Sequence, residues 1–182
     1  MKVNEIFYSL QGEGHWTGTA AVFVRLSGCN RRCAFCDTDF SASTEMSEEE
    51  IVGEVLKYPA SVVVVTGGEP ALQLTQSLVD RLHLARRRVH VETNGSLPLP
   101  EGIDWVTCSP KEPPYGITYI DELKLVLTPG SDPEAVAAQL PRPAVRSLQP
   151  LSGTNTEECV AYVKAHPSWR LSLQTHKLIS IP

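Results

Sequence analysis

No apolar run in this chain approaches the roughly 20 residues that a membrane-spanning helix needs. At the start of the chain, Asn4 and Glu5 interrupt the apolar core that a secretory signal would require. Positive charge is not in excess either, since the formal net charge is -5. These absences predict a protein of the reducing cytoplasm that binds neither a membrane nor a nucleic acid. The negative net charge does not exclude a small anionic substrate, because individual lysine or arginine side chains can bind an anion inside an acidic protein.

The sequence also lacks internal repeats, low-complexity tracts and an evident linker between domains. Its 182 residues are enough for one domain with a sizeable core, so we expect a single domain over residues 1–182. A complete eight-unit α/β barrel needs about 250 residues. The length therefore favours an incomplete barrel or an open, curved α/β sheet.

Apolar, β-rich runs alternate with helical patterns along most of the chain. The runs predict strands over residues 3–8, 20–27, 62–66, 89–93, 105–108, 123–127, 145–148 and 171–174. Ser47 and Glu50 form a capping box that starts one helix. Further helices are predicted over residues 72–87, 133–140 and 156–165, and loops over 95–104 and 110–121. Continuous apolar strands such as VVVV are typical of a parallel sheet covered by helices, so the predicted class is α/β, a partial barrel of mostly parallel strands.

Polar segments follow most of the predicted strands, at the point where each strand ends. They occupy residues 11–14, 28–40, 66–69, 93–95, 109–111 and 149–150. In parallel α/β folds, ligands bind at the carboxyl ends of the strands. The sequence therefore predicts one site that is assembled from most of the sheet, with the segment after the first strand at the same edge.

Three of the five cysteines, Cys29, Cys33 and Cys36, lie in GCNRRCAFCDTDF at residues 28–40, the cysteine loop. Closely spaced thiolates bind soft metals. A closed zinc site needs four protein ligands, and this loop contains neither a fourth cysteine nor a histidine. His15 and the other two cysteines are distant in sequence, which does not exclude them. The ligand chemistry favours an iron–sulfur cluster with an open corner, with zinc as the alternative.

A second motif, Gly67-Gly68-Glu69-Pro70, follows the apolar strand 62–66. Two glycines allow close approach to a ligand, and the Glu69 carboxylate can accept hydrogen bonds from an ammonium group. Taken alone, the motif is more typical of a turn before a helix with Pro70 at its first position. Together with the cysteine loop, it favours a ligand site.

Arg25 lies inside an apolar strand, on the face that also carries Phe23 and Ser27. A buried guanidinium requires an anionic or acceptor partner. The residues leave two alternatives open, an internal salt bridge and a carboxylate of the substrate.

The spacing of Cys29, Cys33 and Cys36, with Phe35 before the last of them, resembles the signature of the radical S-adenosylmethionine superfamily, and residues 67–70 resemble its second signature. The resemblance implies a catalytic 4Fe–4S cluster in which the three cysteines hold three irons and S-adenosylmethionine chelates the fourth. The cofactor-binding residues that it implies are Phe35, Cys36, Asp37, Gly68, Glu69, Ser109, Pro110, Lys111 and Gln149.

Residues 8–14 (YSLQGEG), Arg25 and Cys36-Asp37-Thr38 resemble, more narrowly, the 7-carboxy-7-deazaguanine synthase family of queuosine biosynthesis. The match extends to Thr175-His176-Lys177 and Pro182. It implies a lyase that rearranges 6-carboxy-5,6,7,8-tetrahydropterin to 7-carboxy-7-deazaguanine with loss of ammonia. It also implies Mg²⁺ with Thr38 as its only protein ligand, and it makes Arg25 a clamp on the substrate carboxylate. The substrate-binding residues that it implies are Leu10, Gln11, Gly12, Glu13, Arg25, Thr66, His176 and Pro182.

Two rival functions share parts of this pattern. A glycyl-radical enzyme activase has the same cysteine spacing but acts on a protein partner, whereas Arg25, Thr38 and the C-terminal residues favour a small anionic substrate. A non-catalytic iron–sulfur or zinc protein is the alternative outside the enzymes. The family resemblance further implies a homodimer and an electron donor such as flavodoxin. Cys108 and Cys159 are expected to be small buried thiols.

Overall fold

The computed structural model describes residues 1–36, 39 and 42–182. Within them, nine strands form a single sheet in the order β3-β1-β2-β4-β5-β6-β7-β8-β9. The strands are β1 Lys2–Leu10, β2 Ala20–Leu26, β3 Thr44–Glu45, β4 Val62–Gly67, β5 Arg88–Thr93, β6 Trp105–Cys108, β7 Glu122–Leu127, β8 Val145–Pro150 and β9 Arg170–Leu171. All neighbours from β2 through β9 pair in parallel. In the described residues β3 and β9 remain the two edges, so the sheet is open and the predicted incomplete parallel barrel is confirmed.

The described residues also form five α-helices, of which the first four lie between strands and the fifth follows β9: α1 Glu48–Val55, α2 Gln76–Leu84, α3 Pro133–Ala137, α4 Thr156–Ala165 and α5 Thr175–Leu178. The capping box before α1 is present. The continuous helix predicted over 72–87 is wrong, because the segment divides into a 3₁₀ turn at Pro70–Leu72 and α2. The Glu69 carboxylate caps the turn, and the Thr75 hydroxyl accepts from Leu78 N–H to begin α2 separately. Across the described ranges, no helix is long and apolar enough to cross a membrane.

Alternate residues of the central strands face two different environments. Val22, Val24, Val63 and Val65 pack in an apolar core with helices α1 and α2, and β6–β8 pack in a second core that includes Trp169. The opposite face is apolar at one end of the sheet and polar at the other. Its buried polar side chains are His90, Thr107, Glu122, Lys124, Ser147 and Gln149. This polar face is the inner surface of the partial barrel, and the functional site lies against it.

The first strand runs antiparallel to β2, which corrects one prediction. Residues 11–14 do not reach the site as the carboxyl end of a parallel strand, since that end of β1 lies beside Ala20 at the start of β2. The loop instead crosses the inner face: Gly14 N–H donates to Ser172 Oγ over 2.9 Å and His15 N–H to Glu122 Oε1 over 3.0 Å. Hydrophobic periodicity carries no information about strand direction, so the sequence pattern could not reveal this path.

The last predicted strand, 171–174, is shorter in the structure, because β9 ends at Leu171. Ser172 turns toward the inner face and donates from its hydroxyl to Gln149 Oε1 over 2.9 Å. Gln174 likewise donates to Glu13 Oε1 over 2.8 Å. The chain leaves the sheet here in order to contribute side chains to the site.

Candidate active site

A cavity of about 540 Å³ opens between the cysteine loop and the inner face of the sheet. Its size is typical of sites for small molecules. The cavity gathers most of the residues that the sequence singled out. Those that line it are Leu10, Gln11, Gly12, Glu13, Arg25, Cys29, Cys33, Phe35, Cys36, Thr66, Gly68, Ser109, Lys111, Gln149, His176 and Pro182.

Four predicted residues are not among the lining. Asp37 and Thr38 lie outside the described residues. Pro110 is buried behind the lining residue Ser109, and Glu69 is fully buried. The Glu69 carboxylate accepts hydrogen bonds from Thr93 Oγ1 and Asn94 N–H, both over 2.7 Å, and it therefore points into the fold.

The three loop cysteines are reduced thiols at the cavity wall. Cys29 and Cys33 are half-buried and Cys36 is exposed. Burial raises the pKa of the Cys33 thiol, although the nearby Lys111 ammonium opposes the shift. Among the residues that the structure describes, no three His, Cys, Asp or Glu side chains converge to hold one metal ion. Three thiols that line one cavity suit a cluster, in which each thiolate binds a different iron, whereas a closed zinc site takes four protein ligands.

The remaining cysteines take no part in this cavity. Cys108 and Cys159 are fully buried, as expected. Burial raises the pKa of Cys108 to about 12 and that of Cys159 to about 11, so both thiols stay protonated and unreactive.

The glycines of the second motif bring β4 against the start of the cysteine loop. A Cβ atom on Gly68 would lie 1.9 Å from the Gly28 carbonyl oxygen, so only glycine fits. Gly68 N–H donates to Leu26 O over 3.0 Å, and Glu69 N–H donates to Gly28 O over 2.9 Å. The second motif therefore anchors the cysteine loop through its backbone.

A cation lies on the cysteine side of the cavity. Lys111 Nζ donates to Ser109 Oγ over 3.0 Å and lies 5.2 Å from the centre of the Phe35 ring. Burial lowers the pKa of Lys111, and the nearby Cys33 thiol partly opposes that shift. These three side chains form a wall with one ammonium, one hydroxyl and one aromatic face.

Of the two alternatives that the sequence left open for Arg25, the structure shows the internal salt bridge, and the contact with a substrate carboxylate stays a prediction. Arg25 Nε donates to Glu5 Oε1 over 2.7 Å, which is the internal salt bridge. The guanidinium also stacks over Phe7 and lines the cavity. Because Glu5 engages only the Nε edge, the terminal nitrogens remain suited to a carboxylate in the cavity.

The floor of the cavity holds a buried ionic network. Lys124 Nζ lies 2.5 Å from Glu13 Oε2 and 2.8 Å from Glu92 Oε2, and its side chain is only 4% exposed. Gln11 donates to the other oxygen of Glu92 over 2.8 Å, as Gln174 does to Glu13. Burial alone would raise the pKa of Glu13, but Lys124 outweighs it and the pKa is lowered. Burial would lower the pKa of Lys124, yet the two carboxylates raise it. Both shifts favour the charged forms of Glu13 and Lys124.

The C-terminal segment closes one side of the cavity. Thr175 donates to the Gly12 carbonyl from both its backbone N–H and its hydroxyl, each over 2.9 Å. The His176 ring packs directly on Gly12, where a Cβ atom would lie 2.1 Å from His176 Nδ1. Ser9 Oγ donates to a Pro182 oxygen over 2.7 Å. The end of the chain is thus fixed beside the loop that follows β1.

Sequence reasoning missed several residues of this site, notably Glu92, Lys124, Asn94 and Gln174. Glu92 and Lys124 carried the same signal as Arg25, a charged residue at an alternating position within an apolar strand. Asn94 belongs to the polar segment 93–95 but was not assigned a role, and Gln174 carried no signal beyond its place as the last residue of a predicted strand.

The chain resembles a known family profile and several known proteins. The sequence profile described as "Radical SAM superfamily" matches residues 23–116. The chain is 57% identical over 181 residues to a Bacteroides thetaiotaomicron protein named 7-carboxy-7-deazaguanine synthase, covering 99% of this chain and 98% of that one. It is 42% identical over 207 residues to a Burkholderia multivorans protein of the same name, with 99% and 98% covered. The crystal structure of QueE from Escherichia coli superposes with a TM-score of 0.80 at 32% identity, covering 96% of this chain and 94% of that one.

Proposed function

The chain belongs to the radical S-adenosylmethionine superfamily and, within it, to the 7-carboxy-7-deazaguanine synthase family, and from this membership we propose how its cavity works. The protein is a radical enzyme that converts 6-carboxy-5,6,7,8-tetrahydropterin to 7-carboxy-7-deazaguanine and ammonia. It uses a 4Fe–4S cluster, S-adenosylmethionine and Mg²⁺. When bound, the cluster and S-adenosylmethionine supply the radical chemistry of the rearrangement, and the residues of this chain bind, orient and shield the reactants.

We propose that Cys29, Cys33 and Cys36 hold the cluster. Their fit rests on three reduced thiols that line one cavity. The Lys111 ammonium next to Cys33 offsets part of the negative charge that three thiolates would bring. This set of donors suits a cluster with one iron left for a small-molecule ligand.

S-adenosylmethionine would bind between the cysteine loop and the carboxyl ends of β4, β6 and β8. Phe35, Ser109, Lys111 and Gln149 line that part of the cavity, and the Lys111 ammonium suits a carboxylate there. Gly68 lines the cavity, and its lack of a side chain allows its backbone to lie against Gly28 of the cysteine loop. We assign Asp37 to this group on family resemblance, together with Pro110.

The pterin would lie across the cavity floor with its carboxylate toward Arg25. The terminal nitrogens of Arg25 can bind that carboxylate in a bidentate manner while Glu5 holds Nε. His176 offers a further contact. The other end of the pterin is rich in N–H donors, which suits the acceptors of this floor and the carboxyl oxygen of Pro182. The remaining residues assigned to the substrate are Leu10, Gln11, Gly12, Glu13 and Thr66, all in the cavity lining.

Mg²⁺ would bind next to the substrate carboxylate, with Thr38 as its protein ligand. This assignment follows from the family resemblance and from the position of Thr38 two residues after Cys36. Magnesium commonly keeps several water ligands and takes few from the protein, so a single hydroxyl is chemically sufficient.

The observation that carries the proposal is the convergence of the three cysteines with Arg25 and His176 on one cavity. The test is anaerobic reconstitution followed by incubation of the reduced protein with S-adenosylmethionine, Mg²⁺ and the carboxypterin. Mass spectrometry should detect the carboxydeazaguanine and ammonia should be released. A reconstituted cluster that neither responds to S-adenosylmethionine nor yields this product would refute the assignment.

We propose, on family grounds, that the electron comes from a donor protein such as flavodoxin and that the enzyme acts as a homodimer. The composition and the pathway favour action in the cytoplasm. We also propose that residues 1–182 form a single radical S-adenosylmethionine domain, because the sheet is continuous from β3 to β9.

A further inference from the structure

We propose that Glu69 is a positioning residue for the cysteine loop, acting through Asn94 on Asn30, and not a side-chain ligand of S-adenosylmethionine. The proposal rests on the proposed function, because it assigns a role in cluster binding. It starts from the direction of the Glu69 side chain, which the sequence motif alone does not reveal.

The Glu69 carboxylate is fully buried and is engaged on both oxygens. Oε1 accepts from Thr93 Oγ1 over 2.7 Å and from Ala71 N–H over 3.0 Å. Oε2 accepts from Asn94 N–H over 2.7 Å. A carboxylate in this position is costly to bury unless several donors hold it, and here the donors are backbone and hydroxyl groups of the fold. Because Glu69 is fully buried, an ammonium group in the cavity could reach this carboxylate only if the surrounding residues moved.

Asn94 carries the contact from Glu69 toward the cavity. Its backbone N–H donates to Glu69, and the residue is only 8% exposed. Asn94 Oδ1 accepts from Ser96 N–H over 2.9 Å, and Asn94 Nδ2 donates to Asn30 Oδ1 over 3.0 Å. With its backbone and its amide both engaged, Asn94 has one defined position at the end of β5.

Asn30 completes the connection inside the cysteine loop, directly after Cys29. Its Oδ1 accepts from Asn94 and its Nδ2 donates to Ser96 Oγ over 2.8 Å, so both ends of the amide contact the loop after β5. Two hydrogen bonds to one short segment fix the Asn30 side chain in a single orientation. Because Asn30 lies between the first two cysteines, this contact sets where Cys29 and Cys33 face the cavity.

These contacts predict that variants of Glu69 and Asn30 share one defect, a faster loss of the cluster. We would compare Glu69→Gln, Asn30→Ala and the double variant after anaerobic reconstitution. Glutamine keeps the shape of the side chain but replaces one acceptor oxygen with a donor, which cannot accept from both Thr93 and Asn94. The readouts are iron and sulfide content, the rate of cluster loss under a chelator, and the dissociation constant for S-adenosylmethionine by equilibrium dialysis. Gln76→Ala is the matched control, since the Gln76 amide also makes two contacts to one segment, at Glu101, outside the cavity lining.

We expect each single variant to lose its cluster roughly five- to tenfold faster than the unmodified protein, since Glu69→Gln removes at least one hydrogen bond and Asn30→Ala removes two. The double variant should be no worse than the more affected single variant, because both act in one chain of contacts. The S-adenosylmethionine affinity of the protein that retains its cluster should change by less than about twofold. The Gln76→Ala variant should retain its cluster normally.

A different pattern would overturn the proposal. If Glu69→Gln weakens S-adenosylmethionine binding tenfold or more with normal cluster retention, while Asn30→Ala changes neither, then Glu69 contacts the cosubstrate directly. Normal cluster retention in Asn30→Ala alone would also refute the proposed chain of contacts. Asn30 lies on an exposed loop, so its replacement leaves the core intact. None of these readouts requires the pterin. A failure to form the deazaguanine would therefore refute the proposed function but would not affect the role inferred for Glu69.

Discussion

The ammonium of Lys124 lies 2.5 Å from a carboxylate oxygen of Glu13, and this contact joins the middle of the sheet to the loop after β1. Glu92 lies on the other side of the same ammonium at 2.8 Å. Two carboxylates share one cation, so the floor of the cavity carries one net negative charge. This arrangement fixes the loop that would hold the pterin.

Replacing Lys124 with methionine should destabilise the protein strongly. The change leaves Glu13 and Glu92, whose side chains are 15% and 22% exposed, with no cation between them. Removing one partner of a buried ion pair costs about 3–5 kcal/mol, and we expect a loss near the lower bound because both carboxylates are partly exposed. Urea denaturation of the Lys124→Met variant should show this loss in the free energy of unfolding. Adding Glu92→Gln should recover part of the loss by removing one charge. A single variant as stable as the unmodified protein would show that the network is not charged.

Exchanging Arg25 for lysine should impair binding of the carboxypterin. Lysine keeps the charge but loses the planar fork, so it cannot hold Glu5 and a carboxylate at once. We expect KM for the pterin to rise about tenfold, the effect of roughly 1.4 kcal/mol of lost binding, in steady-state kinetics. Glu5→Gln should have a smaller effect, because its amide oxygen can still accept from Nε. Arg146→Lys, which pairs with Glu134 away from the cavity, is the control. An unchanged KM in Arg25→Lys would remove this residue from the substrate site.

Removing the Thr38 hydroxyl should raise the magnesium requirement. If Thr38 is the one protein ligand, a Thr38→Ala variant keeps the cluster but binds Mg²⁺ only through substrate and water. A titration of activity against Mg²⁺ should shift to higher concentration, with normal iron content. Thr38→Ser retains the hydroxyl and should restore the original dependence. Identical titrations for alanine and threonine would exclude the residue as a ligand.

The sequence predicted the local elements of the fold better than their spatial relations. Strand β6 and helix α4 have their predicted bounds, because apolar runs and helical periodicity are local signals. The antiparallel direction of β1 was not predictable, since periodicity identifies a strand and its buried face but not its orientation. The division before α2 was predictable only in part, from Thr75 as a helix cap.

In the candidate site, too, local features were predictable from the sequence and long-range pairings were not. The cysteine loop and Arg25 could be identified because their spacing or their place in an apolar strand is unusual. The partners of Lys124 come from β5 and from the loop after β1, and pairings across so many residues leave no trace in a single sequence. Glu69 shows the limit most clearly: its motif indicated a ligand contact, whereas its side chain points into the fold.

Acid should destabilise the protein through His90. This residue is 4% exposed and packs beside Trp16, and burial, aided by the Arg88 charge, lowers its pKa to about 4. The unfolded chain has the ordinary histidine pKa and binds the proton first as pH falls below about 6.5. Stability should therefore fall between pH 6.5 and pH 4, with a contribution of about 2 kcal/mol between pH 7 and pH 5.

A His90→Gln variant isolates this effect. Its free energy of unfolding, measured by urea denaturation at several pH values, should depend less steeply on pH over that window. His83→Gln is the matched control, because His83 is partly exposed and pairs with Asp104 at the surface. Equal pH slopes for the His90 variant and the unmodified protein would show that another group governs the acid response.

Adding a methyl group at Gly12 should act on the active site through His176. A Cβ atom would lie 2.1 Å from His176 Nδ1, so the imidazole must leave its position, while the Gly12 backbone adopts no conformation reserved for glycine. We expect Gly12→Ala and His176→Ala to raise KM for the carboxypterin by similar factors, with little further loss in the double variant. Gly53→Ala is the control, since that helical position has open space and should gain up to about 1 kcal/mol of stability. Additive losses in the double variant would show that Gly12 serves the substrate independently of His176.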